Sequence, residues 1–383
     1  MNKVEDLGQV FTPEIIVDKM IDMIENKKCK KLEPSCGDGA FFNKLKKCTG
    51  IEFDRDVCPE NALCMDFFDY SIDNKFKVII GNPPYIGYKM ILPDTYSKLS
   101  LYNDIFDDRA NLYLYFIYKS ILHLKQNGEI VFITPRDFIK NTSAMRLNEY
   151  MYKHGTITHF YETGDDNIFK GYSPNCAIWR YELDNIDHKT ITNNGIKNYL
   201  VENGQIFFID AKYNMKFSDL FDVKVGAVSG MDEIFRNENG NEDFVYSGTF
   251  KTGDTIKMFY NIENNYLKQH KDVLINRKIK KFNENNWWEW GRKHYISDKP
   301  RIYVNAKTRN KNPFFIHECK NYDGSILAIF PKIKTTKSQL KNICDALNKV
   351  DWEELGFVVD GRFIFSQRAL QNTFLPDFLM DVI

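Results

Sequence analysis

The stretch KVIIGNPPYIG, from Lys77 to Gly87, constrains this chain more than any other. Val78, Ile79 and Ile80 form an apolar run of the length expected of a buried strand, and the run ends at a glycine, an asparagine and two prolines. Proline has a fixed φ, and a residue that precedes proline is driven into an extended conformation. The carbonyl directions at Asn82 and Pro83 are therefore set in advance. A tight turn at the rim of a sheet would explain the prolines, but it gives no reason for Asn82 and Tyr85 beside them.

Around this strand the sequence alternates strand and helix signals. Thr12 reads as the N-cap and Pro13 as the first position of an amphipathic helix whose apolar residues are Ile15, Ile16, Met20, Met23 and Ile24. KKLEPSCGDGAFF gives a very short strand ending near Glu33, a glycine-rich turn, and a helix from about Ala40. GIEFD is a second strand, ending at Glu52. NLYLYFIYKSILHLKQNGEIVFITP reads as a helix with Leu112, Phe116, Ile117, Ile121 and Leu124 on its apolar face, closed by Gly128 and followed by a strand from Glu129 to Ile133. This alternation builds a mostly parallel, doubly wound α/β sheet that binds ligands at the carboxyl ends of its strands. Gly37, Gly39, Glu52, Asp66 and the Asn82 to Tyr85 run all follow strand ends, so one edge of the sheet would gather them. CGDG is too short for the GxGxxG fingerprint, and no GxxxxGK[ST] loop occurs, so ATP hydrolysis has no support. Glu52 lies 15 residues after Gly37 and is placed to accept hydrogen bonds from a ribose diol.

A chain of 383 residues is long enough for two ordinary domains, and a polar, turn-rich stretch places the boundary near residue 214. The 43% hydrophobic and 27% charged residues are those of a soluble protein, and no apolar run reaches the roughly 18 residues of a membrane span. The N-terminus lacks a signal-peptide pattern, so a cytoplasmic location is expected. Eight cysteines without a CxxC pair read as reduced thiols, and no metal is implied. The net charge is zero, yet residues 271–350 carry 18 Lys and Arg against 7 Asp and Glu. That local excess is the footprint expected of phosphate binding.

Taken in order, these motifs resemble the amino-methyltransferases that use S-adenosylmethionine, specifically the γ-class N6-adenine DNA methyltransferases of type II restriction-modification systems. GQVFTP is similar to the N-terminal cofactor segment, LEPSCGDGAFF to the cofactor glycine loop, GIEFD to the ribose-binding acid, MDFFD to the acid beside the adenine ring, and GNPPY to the catalytic motif. The resemblance implies a Rossmann-like S-adenosylmethionine-dependent methyltransferase sheet over 1–214 and a mixed α/β DNA target-recognition domain over 215–383. It places Phe11, Thr12, Glu33, Pro34, Cys36, Gly37, Gly39, Glu52, Phe53, Asp66, Phe67 and Asn82 around the cofactor. Asn82, Pro83, Pro84 and Tyr85 become the catalytic set, with a second aromatic for the flipped base at Phe169, where Tyr172 or Phe160 could also serve.

The chemistry accounts for the rigid strand end. The exocyclic amine of adenine is a poor nucleophile because its lone pair is delocalised. Two acceptors aimed at its N–H groups, the Asn82 side-chain carbonyl and the Pro83 backbone carbonyl, would localise that pair by preorganised electrostatics. Tyr85 would offer a face to a base extruded from the duplex. The segment from Ile86 to Arg109, polar and without period, reads as a mobile loop that closes over DNA, with a structured insertion as the alternative. In the second half Arg277, Lys278, Arg292, Lys307 and Arg309 are candidate DNA contacts, whereas the tryptophans of NWWEWGR fit a core better. Double-stranded DNA is the expected partner of a monomeric enzyme, with any cognate restriction endonuclease acting separately. An RNA base or protein glutamine methyltransferase shares the NPPY chemistry, N4-cytosine methylation is a further rival, and FDVKVG reads as a strand rather than a nuclease centre.

Overall fold

The computed structural model describes residues 12–163, 175–359 and 361–382, and the chain divides into two compact units, 1–211 and 212–383. Ten strands of the first unit form one sheet. They are β1 (Lys31–Glu33), β2 (Cys48–Glu52), β3 (Leu63–Cys64), β4 (Phe76–Gly81), β5 (Leu124–Pro135), β6 (Gly155–Glu162), β7 (Cys176–Leu183), β8 (Lys189–Thr192), β9 (Gly195–Glu202) and β10 (Gln205–Ile209). Their order across the sheet is β3-β2-β1-β4-β5-β7-β6-β8-β9-β10. Strands β3 to β5 are mutually parallel, and β7 enters antiparallel between β5 and β6. The chain therefore reverses its winding between β1 and β4, the switch point at which doubly wound sheets open a crevice.

Val78, Ile79 and Ile80 are fully buried at the centre of this sheet, as an apolar run with helices on both faces requires. Helix α1 (Glu14–Asp22) buries Val17 and Met20, while Ile15 stays 78% exposed. It starts one residue later than its sequence suggests, with Pro13 at the cap position and no side-chain cap. The helix expected from Ala40 is absent. Residues 37–44 form turns, because Gly39 takes a left-handed φ of 88° and only a few residues separate it from β2. The segment 86–109 carries a helix, α2 (Pro93–Leu99), and sends Ile86, Ile91, Leu99, Tyr102 and Phe106 into the core. It is a structured insertion rather than an open loop. Helix α3 (Leu112–His123) ends before Gly128, which instead lies inside β5 beside a register irregularity. Lys189–Thr192 and Gly195–Glu202 pair as an antiparallel hairpin.

One buried arginine of this unit sits in an ion-pair network. Arg180, 2% exposed, donates to Glu129 at 2.6 Å and also meets Glu182 and Glu25, and Glu129 accepts the backbone N–H of Asn26 at 2.7 Å. The second unit holds a four-stranded antiparallel sheet of Phe221–Val225, Ile326–Pro331, Ile302–Asn305 and Phe314–Phe315 in that order. FDVKVG is thus a strand. Trp287 and Trp290 are buried, and Trp290 stacks on Phe244 with centroids 4.9 Å apart. The eight cysteines are free thiols. Among the described residues no helix is long and apolar enough to cross a membrane.

One buried group gives the fold a measurable pH response. His123 is fully buried, its Nδ1 lies 2.8 Å from the Asn74 carbonyl, and burial pulls its pKa from 6.5 to about 4. Between those values the unfolded chain takes up a proton that the folded chain refuses, so about 3 kcal/mol present above pH 6.5 is lost as the pH falls to 4. His123→Asn keeps a donor toward Asn74. Its melting temperature is expected to start lower and to fall less steeply between these pH values than that of the wild type, as thermal scans will show.

Candidate functional site

A pocket opens where the strand order reverses, at the carboxyl ends of β1, β2 and β4, and holds about 1010 Å3 of space counted out to its mouth. Of the residues expected at a cofactor, Thr12, Glu33, Pro34, Cys36, Gly37, Glu52, Phe53, Asp66, Phe67 and Asn82 all line it, as does Pro84. Gly39, Pro83 and Tyr85 do not, and Phe11, Phe169 and Tyr172 lie outside the described residues. Phe160 is buried among core rings.

Each wall has a local cause. The Glu52 carboxylate, at the end of β2, accepts the N–H of Gly37 at 2.7 Å and that of Asp54 at 2.9 Å, so the glycine turn is laced to the neighbouring strand end. Gly37 reaches this position at a left-handed φ of 53°. Gly39 is a glycine for backbone reasons, since a Cβ there would stand 2.6 Å from Asn43 and 3.0 Å from Pro59. Phe53, 48% exposed, is an aromatic face at the rim. On the opposite side Phe67, Ile91, Leu112 and Phe116 make an apolar slot with Asp66 at its edge.

The strand end is held from two directions. Asn82 donates through Nδ2 to the Thr12 hydroxyl at 3.1 Å, which turns Oδ1 to the other side of the amide. Ser35, from the glycine turn, donates to the Asn82 backbone carbonyl at 3.2 Å. Thr12 thus orients the asparagine instead of capping α1. Ser35 carries no sequence signal of its own, because a hydroxyl in a turn is ordinary. Tyr85 is 7% exposed and donates to the Ile133 carbonyl at 3.0 Å, and its edge meets Tyr113.

The electrostatics are one-sided. Glu33, Asp38, Glu52, Asp54 and Asp66 line the pocket, and among the described residues no Lys, Arg or His does. Glu33 is 1% exposed, and its Oε2 has no hydrogen-bond partner among the described residues. Burial holds its carboxyl well above the usual range, with Glu52 and Asp38 adding to the effect and a backbone hydrogen bond from Phe42 opposing it. The Cys36 thiol is pushed up by burial, with Glu33 and Glu52 adding to it. An anionic ligand such as a nucleotide phosphate would meet only like charge here. A ligand with cationic centres and N–H or O–H donors is matched.

The candidate DNA contacts divide. Lys278, Arg292, Lys307 and Arg309 are exposed, although Arg292 donates to the Gly226 carbonyl at 3.0 and 3.1 Å. Arg277 is not available to a phosphate. It is 6% exposed, donates to the carbonyls of Ser229, Leu274, Trp287 and Glu289, and stacks on Phe282 at 3.9 Å. Its sequence context, a basic cluster, does not distinguish a buried strut from a surface charge.

Residues 18–169 match the profile of the Eco57I restriction-modification methylase family. The chain is 31% identical over 224 residues to the type II methyltransferase M.HincII of Haemophilus influenzae, covering 56% of this chain and 42% of that protein. It is 29% identical over 212 residues to the type II methyltransferase M.AccI of Acinetobacter calcoaceticus, covering 49% and 39%. The chain thus spans about two fifths of the length of the curated relatives it matches. Among solved structures, 97% of the chain aligns with 68% of the type IIL restriction-modification enzyme MmeI in complex with DNA, at a TM-score of 0.60 and 11% identity, a likeness of fold. The resemblance to type II restriction-modification methyltransferases read from short motifs therefore extends over more than half of the chain, and the sheet of the first unit is Rossmann-like in its parallel half.

Replacing Gly39 by Ala tests the local account of the turn. The left-handed φ and the contact with Asn43 predict a loss of about 1–3 kcal/mol, read as a lower melting temperature.

Proposed function

We propose that this protein is a site-specific DNA methyltransferase that transfers a methyl group from S-adenosylmethionine to the N6 amine of a flipped adenine in double-stranded DNA. One observation carries the reading: Asn82 and Pro84 of the rigid strand end line the same pocket as the carboxylates Glu33, Glu52 and Asp66. The residues present fit that cofactor. It is a net cation, with a sulfonium and an ammonium against one carboxylate, which suits a pocket whose described lining has five carboxylates and no cation, and the buried Oε2 of Glu33 has no hydrogen-bond partner among the described residues. Glu52 would take the ribose hydroxyls, and Asp66 with the slot of Phe67, Leu112 and Phe116 the adenine ring. When bound, the cofactor supplies an electrophilic methyl group.

The protein's own residues do the rest. Thr12 presents the Asn82 amide with Oδ1 turned away from it, and Ser35 fixes the backbone at the same residue. The Asn82 Oδ1 and the Pro83 carbonyl accept the two N–H bonds of the target amine, and Tyr85 with a second aromatic near Phe169 holds the base. No strong base is needed, since the charge that develops on nitrogen meets fixed acceptors. The exposed Lys278, Arg292, Lys307 and Arg309 of the second unit hold DNA phosphates, with 1–214 as the methyltransferase domain and 215–383 as the target-recognition domain. The protein acts as a cytoplasmic monomer, as the modification partner of a separate endonuclease. The similarity to the type II methyltransferases M.HincII and M.AccI supports the methyl-transfer part of this reading.

The test is incubation with S-adenosylmethionine and mixed-sequence duplex DNA, followed by digestion and mass identification of nucleosides. N6-methyladenine that disappears with Asn82→Ala is the expected result. N4-methylcytosine, or methyl transfer to RNA or to a protein glutamine in place of DNA, would overturn it. A second prediction concerns pH. Glu33 is neutral below its raised pKa and anionic above it, so affinity for the sulfonium cofactor should rise as the pH climbs through that pKa, and Glu33→Gln should flatten the rise in calorimetric titrations.

A further inference from the structure

Asp66, the acid that the motif resemblance sets beside the adenine ring, receives three donors, one backbone N–H and two side chains. It is 9% exposed, its Oδ1 accepts the N–H of Phe68 at 2.9 Å, and its Oδ2 accepts the hydroxyl of Thr95 at 2.8 Å and the ammonium of Lys98 at 3.1 Å. Lys98 is fixed in turn by Asp69 at 2.6 Å. Thr95 and Lys98 stand three residues apart on the same face of α2, the helix that follows the catalytic motif, and Thr95 itself lines the pocket.

A carboxylate offers roughly four acceptor positions. Three are taken here, so one remains, on Oδ1. An ion-paired carboxylate offers acceptors only, so it favours an N–H group and opposes a carbonyl oxygen. We infer that Thr95 and Lys98 clamp Asp66 so that it keeps a single acceptor position for the base of the cofactor, and that this pair sets a preference for a 6-aminopurine over a 6-oxopurine. The inference rests on the cofactor reading above and adds two positioning residues to it. Without the clamp the carboxylate can rotate, and a bridging water can satisfy an oxo group as well as an amino group. The clamp also joins the base side of the pocket to the chain that leaves Tyr85, so cofactor identity and the order of that segment are linked.

The experiment titrates S-adenosylhomocysteine and S-inosylhomocysteine into the full chain by calorimetry. The wild type should prefer the 6-amino ligand, Lys98→Met should reduce that preference about tenfold, and Thr95→Val should reduce it less. Lys98→Arg, which preserves the ion pair, should retain most of it. Both ligands are titrated into the same sample, so their ratio does not depend on the folded fraction. Equal weakening of both ligands in Lys98→Met, or an unchanged ratio, overturns the clamp. A wild type that binds both ligands equally overturns the clamp alone, and one that binds neither overturns the cofactor reading and the clamp with it.

Discussion

The parallel pairing of β1 with β4 is the constraint on which the rest of the molecule depends. Leu32 lies opposite Ile79, the two strands end together, and the chain leaves β1 toward β2 but leaves β4 toward β5. The pairing is secured by burial, since Leu32, Val78, Ile79 and Ile80 are fully enclosed and each contributes about 1.5–3 kcal/mol as an upper estimate. Glu33 and Asn82 then fall side by side because the sheet places them there. The ties from Thr12 and Ser35 hold Asn82 against this frame.

A pocket with five carboxylates and, among the described residues, no cationic lining side chain is self-repelling. The arrangement persists because each buried carboxylate is held by neighbours: Glu52 by two backbone amides, Asp66 by Phe68, Thr95 and Lys98. Glu33 is the exception, and its raised pKa shows what burial without a matched cation costs. The cations near this side stand one layer back. Lys119 donates to the Phe67 carbonyl at 2.6 Å from beneath the apolar slot, and burial pulls its pKa to about 8. The site is thus built to gain from a cationic ligand, in accord with the fold-level likeness to restriction-modification methyltransferases.

The second unit shows how far charge counting carries. Its basic excess is real, but one of its arginines is spent inside the unit, where Arg277 gathers four carbonyls and an aromatic face. Burial lowers its pKa to about 10 while the hydrogen bonds satisfy its donors. The tryptophans beside it are core for the same reason, since large apolar rings next to a buried guanidinium exclude water.

The sequence by itself determined the strands that carry the site, because Val78–Ile80 and the short runs ending at Glu33 and Glu52 are too apolar or too sharply terminated to be anything else. It also pointed to 11 of the 24 residues that line the pocket, ten of which follow strand ends within a few positions. Short-range rules failed where long-range contacts decide. Thr12 has the chemistry of a cap but is drawn to Asn82, 70 residues away. Thr95 and Lys98 sit in a segment without hydrophobic period, so nothing local marks them, and only the packing of α2 against the end of β3 and its following turn brings them to Asp66. Pattern fixes which residues are buried along one element. Which polar groups meet depends on how elements from distant parts of the chain are juxtaposed, and that is set by the tertiary structure alone.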